Sequence, residues 1–174
     1  NPFSQLLVSS FGLSSAYGYM ICGAKPGDRL GYSVAGLGDV NGDGINDLVV
    51  GAPGERSDAY LAPIGAVYVL YGRDKSAEAD IFLGNKSFSE GIYGYRYHGN
   101  ASYEYLGNAV GGGGDVNGDG LPDLFFGTPL SNLNPSAYLV FGIPSITAQP
   151  TLVPTITPTN RPTTPRIDYI TESV

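Results

Sequence analysis

Two short segments hold most of the chemistry that this sequence offers. Asp39, Asn41, Asp43, Gly44 and Asp47 stand in the order D-x-N-x-D-G-x-x-D, and Asp115, Asn117, Asp119, Gly120 and Asp123 repeat that order. Oxygen donors at alternate positions, with Gly permitting a sharp turn, suit a hard divalent cation that takes about six to eight ligands, and Ca2+ is the natural occupant. Side chains at loop positions 1, 3, 5 and 9 supply ligands, and a main-chain carbonyl supplies position 7, which is Ile45 in the first loop and Leu121 in the second. Three carboxylates crowded about one point repel each other until a cation neutralises them, so two Ca2+ sites are expected, coupled to folding.

An EF-hand needs Glu at position 12 and helices on both sides. Here position 12 is Val50 or Phe126, each inside an apolar, strand-like run, which excludes that architecture. Enzyme chemistry has little to work with. His98 is the single histidine and Cys22 the single cysteine, and the acidic residues are better explained as ligands than as an acid/base pair. A surface or strand-lining role is expected for His98, and burial as a small apolar residue for Cys22. The formal charge of −7, with only nine scattered Lys and Arg, argues against nucleic acid as a partner. No apolar stretch approaches the ~20 residues of a spanning helix, so membrane insertion is not expected.

The loops are the centres of an internal repeat that must position them. Gly31 to Pro53 and Gly107 to Pro129 align without a gap, with 14 of 23 positions identical. Twenty-six glycines, thirteen prolines and thirteen tyrosines without any tryptophan favour short strands and many turns. The predicted fold is all-β: strands near 17–23, 32–38, 48–51 and 66–71 form one four-stranded unit, and strands near 93–98, 108–112, 124–127 and 137–141 form another. The units are bounded at about 1–74 and 75–142. Residues 143–166 carry a proline about every fourth position among threonines, which reads as an extended linker open to O-glycosylation. Residues 167–174 return to an alternating pattern and read as a terminal strand.

Leu30-Gly31-Tyr32 with Gly51-Ala52-Pro53, and Leu106-Gly107-Asn108 with Gly127-Thr128-Pro129, bracket the two loops. In this the chain resembles the FG-GAP repeats of integrin α-type β-propellers, with Leu in place of Phe and a second GAP element that reads GTP. The resemblance implies two propeller blades, an extracellular or cell-surface setting, and cation loops in the positions already read from spacing. Two blades cannot close a ring. Either the segment belongs to a longer, integrin-like adhesion protein, or copies of it self-associate, and the detached tail favours the second: a structural, calcium-stabilised glycoprotein whose residues 167–174 are donated to a neighbour's sheet edge to build a homopolymer filament. Sequons at Asn85 and Asn100 fit a secreted glycoprotein. Tyr93, Tyr95, Tyr97, Tyr103 and Tyr105 suit packing between blades better than a platform for a glycan ligand, though an extracellular protein or glycan partner fits the family.

Overall fold

The computed structural model describes residues 18–57, 62–74, 80–84, 93–129 and 135–143. Among these residues the structure is strand and turn, with nine strands: β1 (Ile21–Cys22), β2 (Ser33–Gly38), β3 (Asp47–Ala52), β4 (Ala66–Leu70), β5 (Ile81–Phe82), β6 (Gly94–His98), β7 (Ala109–Gly114), β8 (Asp123–Thr128) and β9 (Ser136–Val140). Asn85, the linker 143–166 beyond its first residue and the terminal segment 167–174 lie outside the described residues.

The first sheet runs β2-β3-β4-β6 and the second β7-β8-β9, antiparallel throughout. Both begin with the same irregularity. A register shift falls between Gly36 and Gly38 in β2 and between Gly112 and Gly114 in β7, and Gly38 and Gly114 take φ of 79° and 66°. Glycine adopts this bulge without strain and turns the chain into the acidic loop.

The strand grouping departs from expectation at β6. It repeats the sequence around β1, so spacing assigns it to the second unit, yet it pairs with β4 from Ala66↔His98 to Leu70↔Gly94 and completes the first sheet. The reason is local: β4 is buried along its whole length and needs a neighbour on each edge, and the chain reaches that edge before it enters β7. β1 instead makes a two-residue parallel pair with β5, a strand that composition did not reveal.

Two apolar layers result. Val49, Val67, Val69 and Tyr97 of the first sheet pack against Leu124 and Phe126 of the second. On the first sheet's other side Val50, Ala52, Ala66, Tyr68 and Leu70 gather Ile81 and Leu83, with Tyr19 and Ile21 against them. The alternation of faces along each strand fixes which layer a residue joins.

The two sheets are seated by glycine. A Cβ on Gly51 would overlap the Gly107 carbonyl, and one on Gly112 would come 2.7 Å from the Gly36 carbonyl oxygen. Ser33 Oγ donates to that same Gly107 carbonyl at 2.8 Å.

Candidate metal centre

Each acidic loop leaves its sheet at the bulge and returns at the first residue of the next strand. In the first, Asp39 Oδ1 accepts the N–H groups of Gly42 at 2.7 Å and Asp43 at 3.0 Å, and Oδ2 accepts that of Gly44 at 2.7 Å. Asn41 Oδ1 accepts the Asp43 N–H at 3.0 Å, Asn41 Nδ2 donates to Asp43 Oδ2 at 2.9 Å, and Asp43 Oδ1 accepts the Ile45 N–H at 2.8 Å. Asp115, Asn117 and Asp119 reproduce every one of these bonds, down to Leu121 N–H on Asp119 Oδ1 at 2.9 Å. Gly42 and Gly44 have φ of 78° and 89°, and Gly118 and Gly120 of 77° and 89°, so the turn depends on residues without Cβ.

Position 9 differs in character from the rest. Asp47 and Asp123 are fully buried, while Asp43 and Asp119 are exposed. Asp47 Oδ2 takes the Val40 N–H at 2.8 Å and Oδ1 the Gly72 N–H at 2.7 Å. Asp123 does the same with Val116 at 2.6 Å and Gly142 at 3.1 Å. One carboxylate thus ties the start of the loop, its end and the residue that follows the sheet's third strand.

The electrostatics separate the two ends. Burial acts to raise the Asp39 pKa, but N–H bonds from Gly44, Asp43 and Gly42 outweigh it and hold the group below the usual carboxylate value. Burial drives the Asp47 pKa up against the bonds from Gly72 and Val40, and the charges of Asp43 and Asp39 push the same way. That mutual repulsion is what a cation would relieve. Among the described residues no three Asp, Glu, His or Cys side chains are gathered as a formed metal cluster. The donor set itself fits a hard cation: carboxylate, amide and carbonyl oxygens on one turn, with no nitrogen or sulfur ligand among them.

Three carboxylates escape a motif reading. Asp28 and Glu104 occupy matching positions before the two Leu-Gly pairs. Asp28 Oδ2 accepts the Lys25 N–H at 2.8 Å, and Glu104 Oε2 accepts those of Asn100 and Ala101 at 2.6 and 3.0 Å. Both carboxylates staple turns in which Arg29 and Tyr105 adopt φ of 57° and 53°. Carrying the repeat alignment back to residue 28 would have exposed the pair.

Glu55, 6% exposed, receives the Tyr68 hydroxyl hydrogen bond and lies 3.7 Å from Arg96 Nη1. Its pKa is raised by burial. His98 Nδ1 sits 3.5 Å from Glu55 Oε1, so the histidine lines a strand as expected but has an acidic neighbour. Burial, then the Arg96 charge, lowers the His98 pKa to about 4, which leaves it neutral at pH 7 and makes this contact no ion pair. Of the tyrosines, Tyr95 and Tyr97 enter the layer between sheets, Tyr93 faces the Arg73 guanidinium, and Tyr103 stays 48% exposed. Asn100, the described sequon residue, is also exposed, and Cys22 is half-buried.

The FG-GAP repeat family model matches residues 30–70 and 106–140, which are the segments that hold the two loops and their meanders. The chain carries two repeats of the FG-GAP family. Over 102 residues it is 39% identical to integrin alpha-M of Mus musculus, covering 59% of this chain and 8% of that protein. It is 38% identical over 105 residues to integrin alpha-X of Homo sapiens, covering 59% and 8%, and 35% identical over 99 residues to integrin alpha-2 of Bos taurus, covering 57% and 7%. The chain thus spans less than a tenth of the length of these relatives. The FG-GAP elements acquire a physical meaning here, because Gly51 of the first GAP triplet is the glycine that receives Gly107 of the second Leu-Gly pair.

Proposed function

We propose that this chain is a two-blade segment of an integrin-like β-propeller in an extracellular or cell-surface adhesion protein, its blades stiffened by Ca2+. One observation carries the propeller reading. The first sheet covers Val49, Val67 and Val69 with the opposite face of the second sheet, and all three are 0% exposed. Their counterparts Phe125, Ala137 and Leu139 lie open, with Phe125 40% and Leu139 37% exposed. A head-to-tail contact of this kind repeats into an open stack or, as between the blades of a β-propeller, into a closed ring. The open face therefore calls for a further blade.

Hydroxyl-radical footprinting tests this on the natural full-length protein. Phe125 and Leu139 should be protected there and reactive in the 174-residue chain; equal reactivity in both would remove the reading.

Calcium belongs to the same proposal. Asp39, Asn41, Asp43, Asp47 and the Ile45 carbonyl would hold one ion, and Asp115, Asn117, Asp119, Asp123 and the Leu121 carbonyl the second. The matched donor sets and the repulsion felt by Asp47 support it. Bound Ca2+ would supply charge neutralisation and stiffness, with the chain's own part being to gather the oxygens. N-glycosylation at the exposed Asn100, and at Asn85, completes the picture of a secreted glycoprotein.

The reading assigns no enzyme activity, and its partners are extracellular proteins or glycans. Among the described residues no helix is long and apolar enough to cross a membrane. Filament growth by tail-strand exchange is the weaker reading: its donor, 167–174, lies outside the described residues, and the relatives named above are integrin α chains.

A further inference from the structure

Each loop ends by packing on the glycine that follows the third strand of its own repeat. A Cβ on Gly72 would collide with the Asn46 carbonyl oxygen and Ile45 Cγ2, and one on Gly142 would come 2.7 Å from both Leu121 Cβ and the Pro122 carbonyl oxygen. Asp47 and Asp123 then clamp those glycines through their N–H groups. A shift of Asp47 is therefore passed to the Tyr71–Gly72 peptide through the Gly72 N–H that its Oδ1 accepts at 2.7 Å, beside an Asn46 carbonyl that leaves no room for a side chain at Gly72.

What stands before the two glycines differs. The Tyr71 N–H donates to the Tyr93 carbonyl at 2.9 Å, and its ring meets Tyr95 edge-on with centroids 6.0 Å apart. Tyr95 meets Tyr97 at 5.5 Å, Tyr97 meets Phe126 at 5.1 Å and Phe126 meets Tyr138 at 5.3 Å. This row of rings starts at the first loop and crosses from the first sheet to the second. Phe141, the counterpart of Tyr71, is 50% exposed and stands outside the row.

We propose that cation loading of the first loop is transmitted through Ile45 and Asp47 to Gly72 and Tyr71, and so sets the aromatic row that joins the sheets, whereas loading of the second loop leaves that row unchanged. The inference rests on the Ca2+ reading above. It gives the two loops different tasks: the first governs a contact within this chain, and the second governs the open face that holds Phe141.

The experiment is a Ca2+ titration of the full chain followed by near-UV circular dichroism in the tyrosine band, with equilibrium dialysis counting bound ions. Asp43→Asn and Asp119→Asn change exposed ligands of one loop each. Asp43→Asn should lose most of the Ca2+-induced tyrosine signal and Asp119→Asn should keep it. Tyr95→Phe should shrink the signal and Tyr32→Phe, at an exposed site, should not. If Asp43→Asn fails to fold, Asn41→Ser serves the same comparison. Equal loss in the two loop variants, or an undiminished signal in Tyr95→Phe, overturns the inference and leaves the Ca2+ reading standing. Dialysis that finds no bound Ca2+ overturns both.

Discussion

Gly51 and Gly107 come from different repeats and meet backbone to backbone, so that a methyl group on Gly51 would overlap both the Gly107 carbonyl and Ser33 Oγ. Neither obstacle is the free end of a long side chain. Gly51→Ala should therefore cost about 3 kcal/mol, at the upper end of overpacking. Gly36→Ala, where nothing lies within 4 Å and φ is ordinary, should stay within about 0.5 kcal/mol of the parent. Urea unfolding of the two variants side by side measures the contrast, and similar losses in both would contradict the packing described.

Asp47 and Asp43 belong to the same loop but should respond differently to a chelator. Asp47→Ala leaves the Val40 and Gly72 N–H groups without their acceptor inside the protein, a loss of about 2–4 kcal/mol with or without Ca2+. Asp43→Ala removes an exposed acceptor and should cost stability chiefly when Ca2+ is present, where a site filled at a hundred times its Kd contributes about 2.7 kcal/mol. Thermal unfolding of both variants in Ca2+ and in chelator separates the roles.

His98 is held below its unfolded pKa, so the unfolded chain binds the extra proton first. Its contribution to stability is present above about pH 6.5 and is lost as the pH falls towards the folded value of about 4. With the side chain 34% exposed, solvent screening reduces the effect to about 1–2 kcal/mol. Glu55 acts oppositely: its raised pKa gives stability that is present below the unfolded value and fades as the pH rises through the folded one. The comparison that isolates the imidazole is His98→Asn, whose stability curve should run flatter than the parent's between pH 4 and 6.5. Parallel curves would show that the histidine is not desolvated.

Tyr68→Phe deletes the hydroxyl that satisfies Glu55, leaving a buried carboxylate with Arg96 as its nearest charge partner. A loss of about 1–3 kcal/mol follows from the stranded acceptor. Adding Glu55→Gln should recover part of it, because a neutral amide is less costly to bury than a carboxylate. Guanidinium unfolding of the single and double variants gives the coupling.

The loops were legible because the residues that build them are adjacent in sequence. Asp39 to Asp47 and Asp115 to Asp123 carry donors and turn glycines within nine positions, and the structure gives both segments the same hydrogen-bonded turn. The all-β class followed from composition in the same way. Partnerships between distant residues were not legible. β6 looks like the opening strand of its repeat, and only the unpaired edge of β4 assigns it to the first sheet. Two-residue strands such as β1 and β5 leave no periodic trace. Glu55 carries no motif, since Tyr68, Arg96 and His98 reach it only after β4 and β6 align. The loop spacing likewise gave position 9 a ligand's role and was silent on its burial and its hold on Gly72.

The pairing of β6 with β4 puts the unit of gene duplication out of step with the unit of architecture. The sequence repeat that opens near residue 93 therefore carries the strand that fastens the sheet before it. Trimming the chain near residue 74, the boundary expected from the sequence, would strip the first sheet of its outermost strand, β6. An expression fragment meant to retain the first sheet has to end after His98.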